Sequence, residues 1–241
     1  TIHGGGEFEN VIWDTEFVTT EHGDGLRFRY LSPDGTHGFP GNLDSTVTYV
    51  LTPDNAVHVT FEAETDKATH VNMTQHSYFN LNGARATIHD HVATIHASRY
   101  LVFDEVIATG EIESLDGKPW DLGRATRLGD NMDQIPLGGY HHDYVIDKQD
   151  GDLAVVAEVV DPQSGRTLTV SSTQPDMTFY VAMGLTEDFV GKYGITYGPY
   201  MAFCVETQHP VDAANHPQFP STLLRPGELY RETVVYDFGI E

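Results

Sequence analysis

Two short segments place ionisable side chains among residues that are typical of buried β-strands. His76 lies within residues 72–81, and Glu206 lies within residues 203–208. The apolar neighbours of Glu206 are expected to desolvate its carboxylate, which raises the pKa and makes it a better base near neutral pH. A histidine and a glutamate of this kind are the two components of paired acid/base catalysis, provided that the fold brings them together.

The alternation of side chains along residues 72–81 predicts the surroundings of His76. If the segment is a strand, His76 shares one face with Tyr78 and Asn80, because successive residues point to opposite sides. A face of histidine, tyrosine and asparagine suits a hydroxyl-rich ligand. Two structural interpretations stay open from the residues alone: His76 as a hydrogen-bonded sheet residue, and Glu206 as a rim carboxylate in a salt bridge.

A second polar cluster surrounds two adjacent histidines in the middle of the chain. On a strand, His141 and Asp143 share a face and could share a proton or a ligand, whereas His142 points to the opposite side. The spacing of His89 and His91 could suit a metal ion on one strand face. No cysteine pattern or third ligand accompanies it, so the sequence predicts no metal site.

Short runs of alternating polar and β-branched or aromatic residues predict an all-β protein. No window carries an apolar stripe of helical period over three turns. The clearest predicted strands are residues 26–31, 45–51, 56–63, 153–160, 167–172 and 232–238. Turn residues separate them, and residues 161–165 predict a hairpin loop. Many strands at regular spacing favour an antiparallel sandwich or barrel.

The composition is strongly acidic, with 36 acidic and 13 basic residues and a formal charge of −23. Such a field repels nucleic acids and anionic membranes, so neither is expected as a partner. No apolar run approaches the roughly 18 residues of a membrane-spanning helix. The single cysteine, Cys204, permits no internal disulfide. Since no secretory signal is visible, these features predict a cytoplasmic location.

Taken together, the segments resemble the aldose 1-epimerases, the galactose mutarotase family. Residues 72–81 read Asn-Met-Thr-Gln-His-Ser-Tyr-Phe-Asn-Leu and resemble the family's Asn-Leu-Thr-Asn-His-Ser-Tyr-Phe-Asn-Leu hallmark. Residues 38–42 read Gly-Phe-Pro-Gly-Asn, similar to the family's Gly-Tyr-Pro-Gly-Asn. Further matches follow in the family's order over essentially the whole chain, at residues 3–5, 32–35, 99–111, 164–166, 173–175, 179–180, 206–208, 212–215, 219–220 and 224–230.

The resemblance implies a large antiparallel β-sandwich of the galactose mutarotase type, formed by residues 1–241 as one domain, with no metal and no organic cofactor. It implies an enzyme that interconverts the α and β anomers of a free galactose- or glucose-like aldose. A monosaccharide is then the expected partner, and the protein is expected to be a monomer or a homodimer. Glu206 falls at the family's general base and His76 at its general acid. His3 falls at a second active-site histidine that binds the sugar, and Tyr78 lies in the sugar-contacting part of the hallmark.

The chain departs from the family pattern at positions that contact the sugar. His141 stands where the family usually has an aspartate, and Asp143, one strand step away, is expected to supply the carboxylate instead. Thr178 stands where the family has a glutamine. The family also has a segment before its His-Gly-Gly motif, including a sugar-binding arginine, so the sandwich is expected to be incomplete at its N-terminus. These departures concern the sugar preference more than the type of reaction.

Four alternatives to anomer interconversion stay open from the sequence. A carbohydrate-binding protein would use the same aromatic and amide groups without turnover, and a truncated mutarotase homologue would fold without activity. A β-sandwich glycoside hydrolase would need two carboxylates flanking the scissile bond, whereas the expected partner of Glu206 is a histidine. A phosphorylated sugar is disfavoured by the acidic charge.

Overall fold

The computed structural model describes residues 2–104 and 107–241, which form antiparallel β-strands connected by turns. The strands are β1 (Asp14–Thr20), β2 (Gly23–Ser32), β3 (Leu43–Leu51), β4 (Ala56–Thr65), β5 (Thr69–His70), β6 (Val92–Ile95), β7 (Ala97–Asp104), β8 (Ile107–Ser114), β9 (Thr126–Arg127), β10 (His141–Ile146), β11 (Ala154–Val160), β12 (Arg166–Ser172), β13 (Asp176–Tyr180), β14 (Phe189–Val190), β15 (Thr196–Tyr197), β16 (Cys204–Gln208), β17 (Leu223–Leu224) and β18 (Tyr230–Ile240).

Helical structure in the described residues is limited to single 3₁₀ turns. They span Ile2–Gly5, Thr36–Gly38, Ile88–Asp90, Leu128–Asp130, Met132–Gln134, Pro136–Gly138, Lys192–Gly194 and Ala213–Asn215. None of these turns has the length and apolar character that a helix needs to cross a membrane.

Two sheets make up most of the fold, and the prediction of an antiparallel β-sandwich is confirmed. The larger sheet has nine strands in the order β1-β2-β3-β4-β18-β12-β11-β6-β9, and the smaller has five in the order β16-β13-β10-β7-β8. Short pairs form between β14 and β15 and between β17 and β5. All six predicted strands lie in the larger sheet, and residues 161–165 connect β11 and β12 as the predicted hairpin.

The prediction that residues 72–81 form a strand is wrong. Only Phe79 pairs with another strand-like residue, through a single bridge to Phe203. Elsewhere, side chains from distant parts of the chain satisfy the backbone: the Tyr230 hydroxyl accepts a hydrogen bond from the Met73 N–H at 3.2 Å, and the Gln174 amide donates to the Met73 carbonyl at 3.2 Å. Because these partners replace a neighbouring strand, the segment is extended without belonging to a sheet.

Alternation along the five-stranded sheet separates a core face from a polar face. Tyr144, Met177 and Val205 are fully buried in the main hydrophobic core, which also contains Val170 and Val234 of the nine-stranded sheet. Burying a side chain of this size stabilises the fold by about 1.5–3 kcal/mol relative to leaving it exposed. The core therefore fixes the orientation of the intervening residues, which point to the other face of β10, β13 and β16.

Candidate active site

The polar face of the five-stranded sheet carries two cross-strand rows of chemically active side chains. Asp143 pairs with Thr178, which in turn pairs with Glu206. In the next row His141 pairs with Tyr180, which pairs with Cys204. Because every member of these rows alternates with a core residue, the two rows lie side by side on one surface.

His76 reaches this surface from the extended segment at residues 72–81. Its Nε2 lies 3.5 Å from Oε1 of Glu206, so the histidine and the carboxylate meet although 130 positions separate them in the sequence. The ring of Tyr78 stacks on His76 with a centroid distance of 5.1 Å. The Asn80 amide donates to the Met201 carbonyl at 2.7 Å and holds the end of the segment in place. His76 and Tyr78 thus share a side, as the alternation predicted.

Two further histidines flank His76. The His3 ring lies edge-on to it with centroids 5.7 Å apart, and the His141 ring lies 5.1 Å from that of Tyr180 in the adjacent row. His3 is held by a tight turn in which Gly4 and Gly5 have φ of 60° and 84°. A Cβ on Gly5 would come within 2.5 Å of the His37 ring, so this glycine is required for the close approach.

Burial moves the pKa values of the pair in opposite directions. Glu206 is only 9% exposed, and desolvation, followed by the nearby Asp143 charge, raises its pKa to about 7. Desolvation lowers the pKa of His76, and the neighbouring His3 and His141 lower it further. Both shifts favour the neutral forms of the two groups, so at pH values between the two pKa values the pair holds a single proton in total.

Asp143 belongs to the first of these rows but is buried and not open to a ligand. It is 3% exposed, and its Oδ1 accepts a hydrogen bond from the Thr178 hydroxyl at 2.5 Å. The same hydroxyl oxygen accepts a hydrogen bond from the Gln208 amide at 2.9 Å. Burial raises the pKa of Asp143 to about 6. Asp143 can therefore act on a ligand through Thr178 and through its charge.

Asp176 is a third carboxylate on this face and the most completely buried one. It has no exposed surface, and within the described part of the chain neither of its oxygens has a hydrogen-bond partner of normal geometry. Desolvation and the Asp143 charge raise its pKa well above the usual range, an effect that the nearby Met177 amide only partly offsets. The side chain is therefore expected to carry a proton at neutral pH.

We expect the substitution Asp176→Asn to stabilise the protein at alkaline pH. A carboxyl group whose pKa is raised by folding disfavours the folded state increasingly as the pH rises above its unfolded value of about 3.9. The neutral amide should therefore raise the free energy of unfolding at pH 8 by about 1–3 kcal/mol, and the gain should shrink towards pH 4. Urea denaturation at both pH values measures it. Asp152→Asn, at an exposed position, is the control, and a loss of stability at pH 8 would contradict the expectation.

A separate cavity of about 190 Å³ lies on the other side of the same segment. Its walls include Tyr49, Gln75, Ser77, Phe79 and Tyr236. The Tyr49 hydroxyl donates to the side-chain oxygen Oε1 of Gln75, and the side-chain Nε2 of Gln75 donates to the Ser77 hydroxyl, both at 2.8 Å. Because these polar groups are already paired and the remaining walls are apolar, the cavity offers little to a sugar.

The chain resembles one family of known proteins over nearly its whole length. The sequence profile of the family described as aldose 1-epimerase matches residues 1–237. The chain belongs to the aldose 1-epimerase family. The human protein named galactose mutarotase is 39% identical over 243 residues, an alignment that covers all of this chain and 69% of the human one.

Two bacterial members of the aldose 1-epimerase family give the same result. The Escherichia coli K12 protein named aldose 1-epimerase is 32% identical over 252 residues, covering all of this chain and 70% of its own length. The crystal structure titled galactose 1-epimerase from Lactobacillus acidophilus NCFM superimposes with a TM-score of 0.85 at 25% identity, covering all of this chain and 70% of that one. The galactose mutarotase type of sandwich is thereby confirmed.

Not all of this family member's site could be found from the sequence. The structure brings His3, His76, Tyr78, His141 and Glu206 together on the polar face of the five-stranded sheet and buries Asp143 beside them. Sequence reasoning missed Asp176 and Gln208. The strict alternation of Asp176 with Thr178 could have revealed the first, since both precede core residues of the same strand.

Proposed function

We propose that this protein is an aldose 1-epimerase that interconverts the α and β anomers of a free aldose of the galactose or glucose kind. The observation that carries the proposal is the 3.5 Å approach of His76 Nε2 to Glu206 Oε1. The shared names of its relatives, galactose mutarotase and aldose 1-epimerase, support the same reaction. Residues 1–241 are proposed to act as one domain, because residues from both sheets share the main core.

The pair performs the two proton transfers that open a hemiacetal ring. Glu206 removes the proton of the anomeric hydroxyl, and His76 as imidazolium donates a proton to the ring oxygen. Moving both protons avoids building charge on either oxygen, and each group contributes about 10²–10⁴-fold to the rate. The open aldehyde rotates about its C1–C2 bond. On closure from the other face, Glu206 gives its proton to the former carbonyl oxygen and His76 takes the proton of the attacking hydroxyl, so both groups regain their starting forms.

The neighbours of the pair are proposed to hold the sugar. His3, Tyr78 and His141 present ring nitrogens and a hydroxyl around His76. Burial, together with nearby Cys204, Tyr180 and Glu206, raises the pKa of Tyr78 to about 12, so its hydroxyl stays protonated and can donate to a sugar oxygen. Asp143 is proposed to contribute to sugar binding indirectly, by orienting the Thr178 hydroxyl.

The pH dependence of the rate should be bell-shaped, with Glu206 setting the alkaline limb and His76 the acid limb. The reactive form has Glu206 ionised and His76 protonated, yet the pKa of Glu206 is raised to about 7 while that of His76 is lowered. In the dominant singly protonated form the proton therefore lies on Glu206, and the reactive form is its minor tautomer. Loss of that proton sets the alkaline limb near pH 7, and gain of a second proton, on His76, sets the acid limb below about 6.5.

Initial rates between about pH 4 and 9 at constant ionic strength test this profile, with kcat/KM as the quantity that reports the free enzyme. A profile that is flat over this range would remove the pair from the mechanism. A profile that rises through about pH 7 and then levels off would show that activity needs an ionised Glu206 but no proton on His76.

Polarimetry of freshly dissolved α-D-galactose and α-D-glucose tests the function itself. The protein should bring the optical rotation to equilibrium faster than buffer alone. Binding of either sugar without acceleration would indicate a carbohydrate-binding protein or an inactive homologue. The two sugars are compared because His141 and Thr178 replace an aspartate and a glutamine at positions where the family contacts the sugar.

We also propose a ligand, a cellular location and an assembly state for the protein. A monosaccharide is the proposed ligand, and we propose no nucleic-acid or membrane partner, because the formal charge of −23 repels both. The protein is proposed to act in the cytoplasm as a monomer or homodimer. Size-exclusion chromatography with light scattering distinguishes the two assemblies.

A further inference from the structure

Cys204 adds a third metal-ligand atom beside the catalytic pair. A ring nitrogen of His76, Sγ of Cys204 and a carboxylate oxygen of Glu206 all lie within 4.8 Å of one another. Cys204 and Glu206 are two residues apart on β16 and point to the same face, while His76 comes from the extended segment above them. Two separate elements of the fold thus hold the three donors together before any ion arrives.

The distances suit a small tetrahedral cation. Zinc binds sulfur at about 2.3 Å and nitrogen or oxygen at about 2.0–2.2 Å, so its ligands lie roughly 3.3–3.8 Å from one another. The separation of 3.5 Å between His76 and Glu206 falls in this interval. Since every pair is within 4.8 Å, inward shifts of about 1 Å would complete three ligand positions.

The types of donor select among metals. Thiolate and imidazole favour zinc and softer ions, whereas calcium and magnesium prefer shells made of oxygen. Three protein ligands leave a fourth position for water or a sugar oxygen, as in open zinc sites. His76 has a side chain that is one-third exposed (33%), so an ion can reach it from solvent, and the net charge of −23 attracts cations to the protein.

We propose that His76, Cys204 and Glu206 form a binding site for a zinc-like divalent cation, and that the bound ion inhibits the enzyme. On binding, the Cys204 thiol loses its proton to solvent and the sulfur forms a bond to the metal. The lone pairs of His76 and Glu206 are then occupied, so neither group can move a proton of the sugar. The inhibition rests on the proposed function, whereas the binding does not.

Cadmium provides a direct probe of the site, because a Cd²⁺–thiolate bond absorbs in the ultraviolet. Cys204 is the single cysteine of the chain, so any such band reports this site alone. Titration of the metal-free protein with Cd²⁺ should give a saturable band at one equivalent, and Cys204→Ala should abolish it. Cys204→Ser serves if the alanine variant does not fold. His96→Asn, at a histidine paired with a surface glutamate, should leave the band unchanged.

Zinc inhibition supplies the second measurement. Zn²⁺ should lower kcat, because the metal-bound enzyme cannot move the protons of the sugar, and Cys204→Ala should weaken the inhibition by roughly 100-fold, which corresponds to about 2.8 kcal/mol. Absence of a thiolate band at excess Cd²⁺ would overturn the site. A band without zinc inhibition of an active enzyme would overturn the inhibition. A metal-free protein that binds Cd²⁺ but never accelerates mutarotation would refute the proposed function and leave the metal site intact.

Discussion

Glu206→Gln should lower the rate of mutarotation by about 10²–10⁴-fold, the usual contribution of a general base. The amide keeps the size of the side chain but cannot accept the proton of the anomeric hydroxyl. The pH dependence of the residual rate should also differ from that of the wild type. Because His76 alone remains to titrate, the alkaline limb near pH 7 should move below about 6.5, where the lowered pKa of His76 lies.

The same substitution should make the protein more stable. Desolvation raises the pKa of Glu206 from 4.5 to about 7, and at about 1.4 kcal/mol per unit the ionised group destabilises the fold by about 3 kcal/mol above pH 7. The variant should therefore unfold at a higher urea concentration at pH 8 and gain little at pH 4.5.

A matched pair elsewhere in the protein provides the control for both effects. His96 and Glu158 form the same kind of contact, at 3.1 Å, but both side chains are about half exposed. Glu158→Gln should change neither the rate nor the stability by a measurable amount, because exposed pairs contribute little. If Glu206→Gln retained full activity, the base would have to be another group.

The architecture was predictable because local patterns determine it. Alternation at residues 45–51 and 167–172 shows which face is buried whether or not the neighbouring strand is known, and both segments became central strands of the larger sheet. Residues 72–81 show the same alternation, but their backbone partners are the side chains of Tyr230 and Gln174, 157 and 101 positions away. No local pattern contains that information.

In the candidate site, too, local spacing predicted some features, whereas others depend on contacts between distant segments of the chain. The spacing of His141 and Asp143 placed them on one face, and the structure agrees. Their difference in burial could not be predicted, because it depends on the Thr178 hydroxyl from the adjacent strand. The meeting of His76 with Glu206 likewise depends on the packing of the extended segment over the five-stranded sheet. Before the structure, only the resemblance to a family indicated that contact.

His76→Asn should be as damaging as the loss of the base, at about 10²–10⁴-fold, because the ring oxygen would then leave without a proton donor. Asparagine removes the titrating ring while keeping a polar group of similar reach. Part of the loss should be recovered with a sugar derivative whose leaving oxygen is more acidic, since such an oxygen needs less protonation. His96→Asn is the matched control and should retain the wild-type rate.

The pH profile of the histidine variant distinguishes a proton donor from a residue that only positions the sugar. In the wild type, activity should fall above pH 7 because the pair loses its single proton. In His76→Asn the remaining requirement is an ionised Glu206, so the residual activity should instead rise through about pH 7 and then level off, following the raised pKa of that carboxyl. A residual rate that kept the wild-type bell shape would mean that His76 holds the sugar while another group supplies the proton.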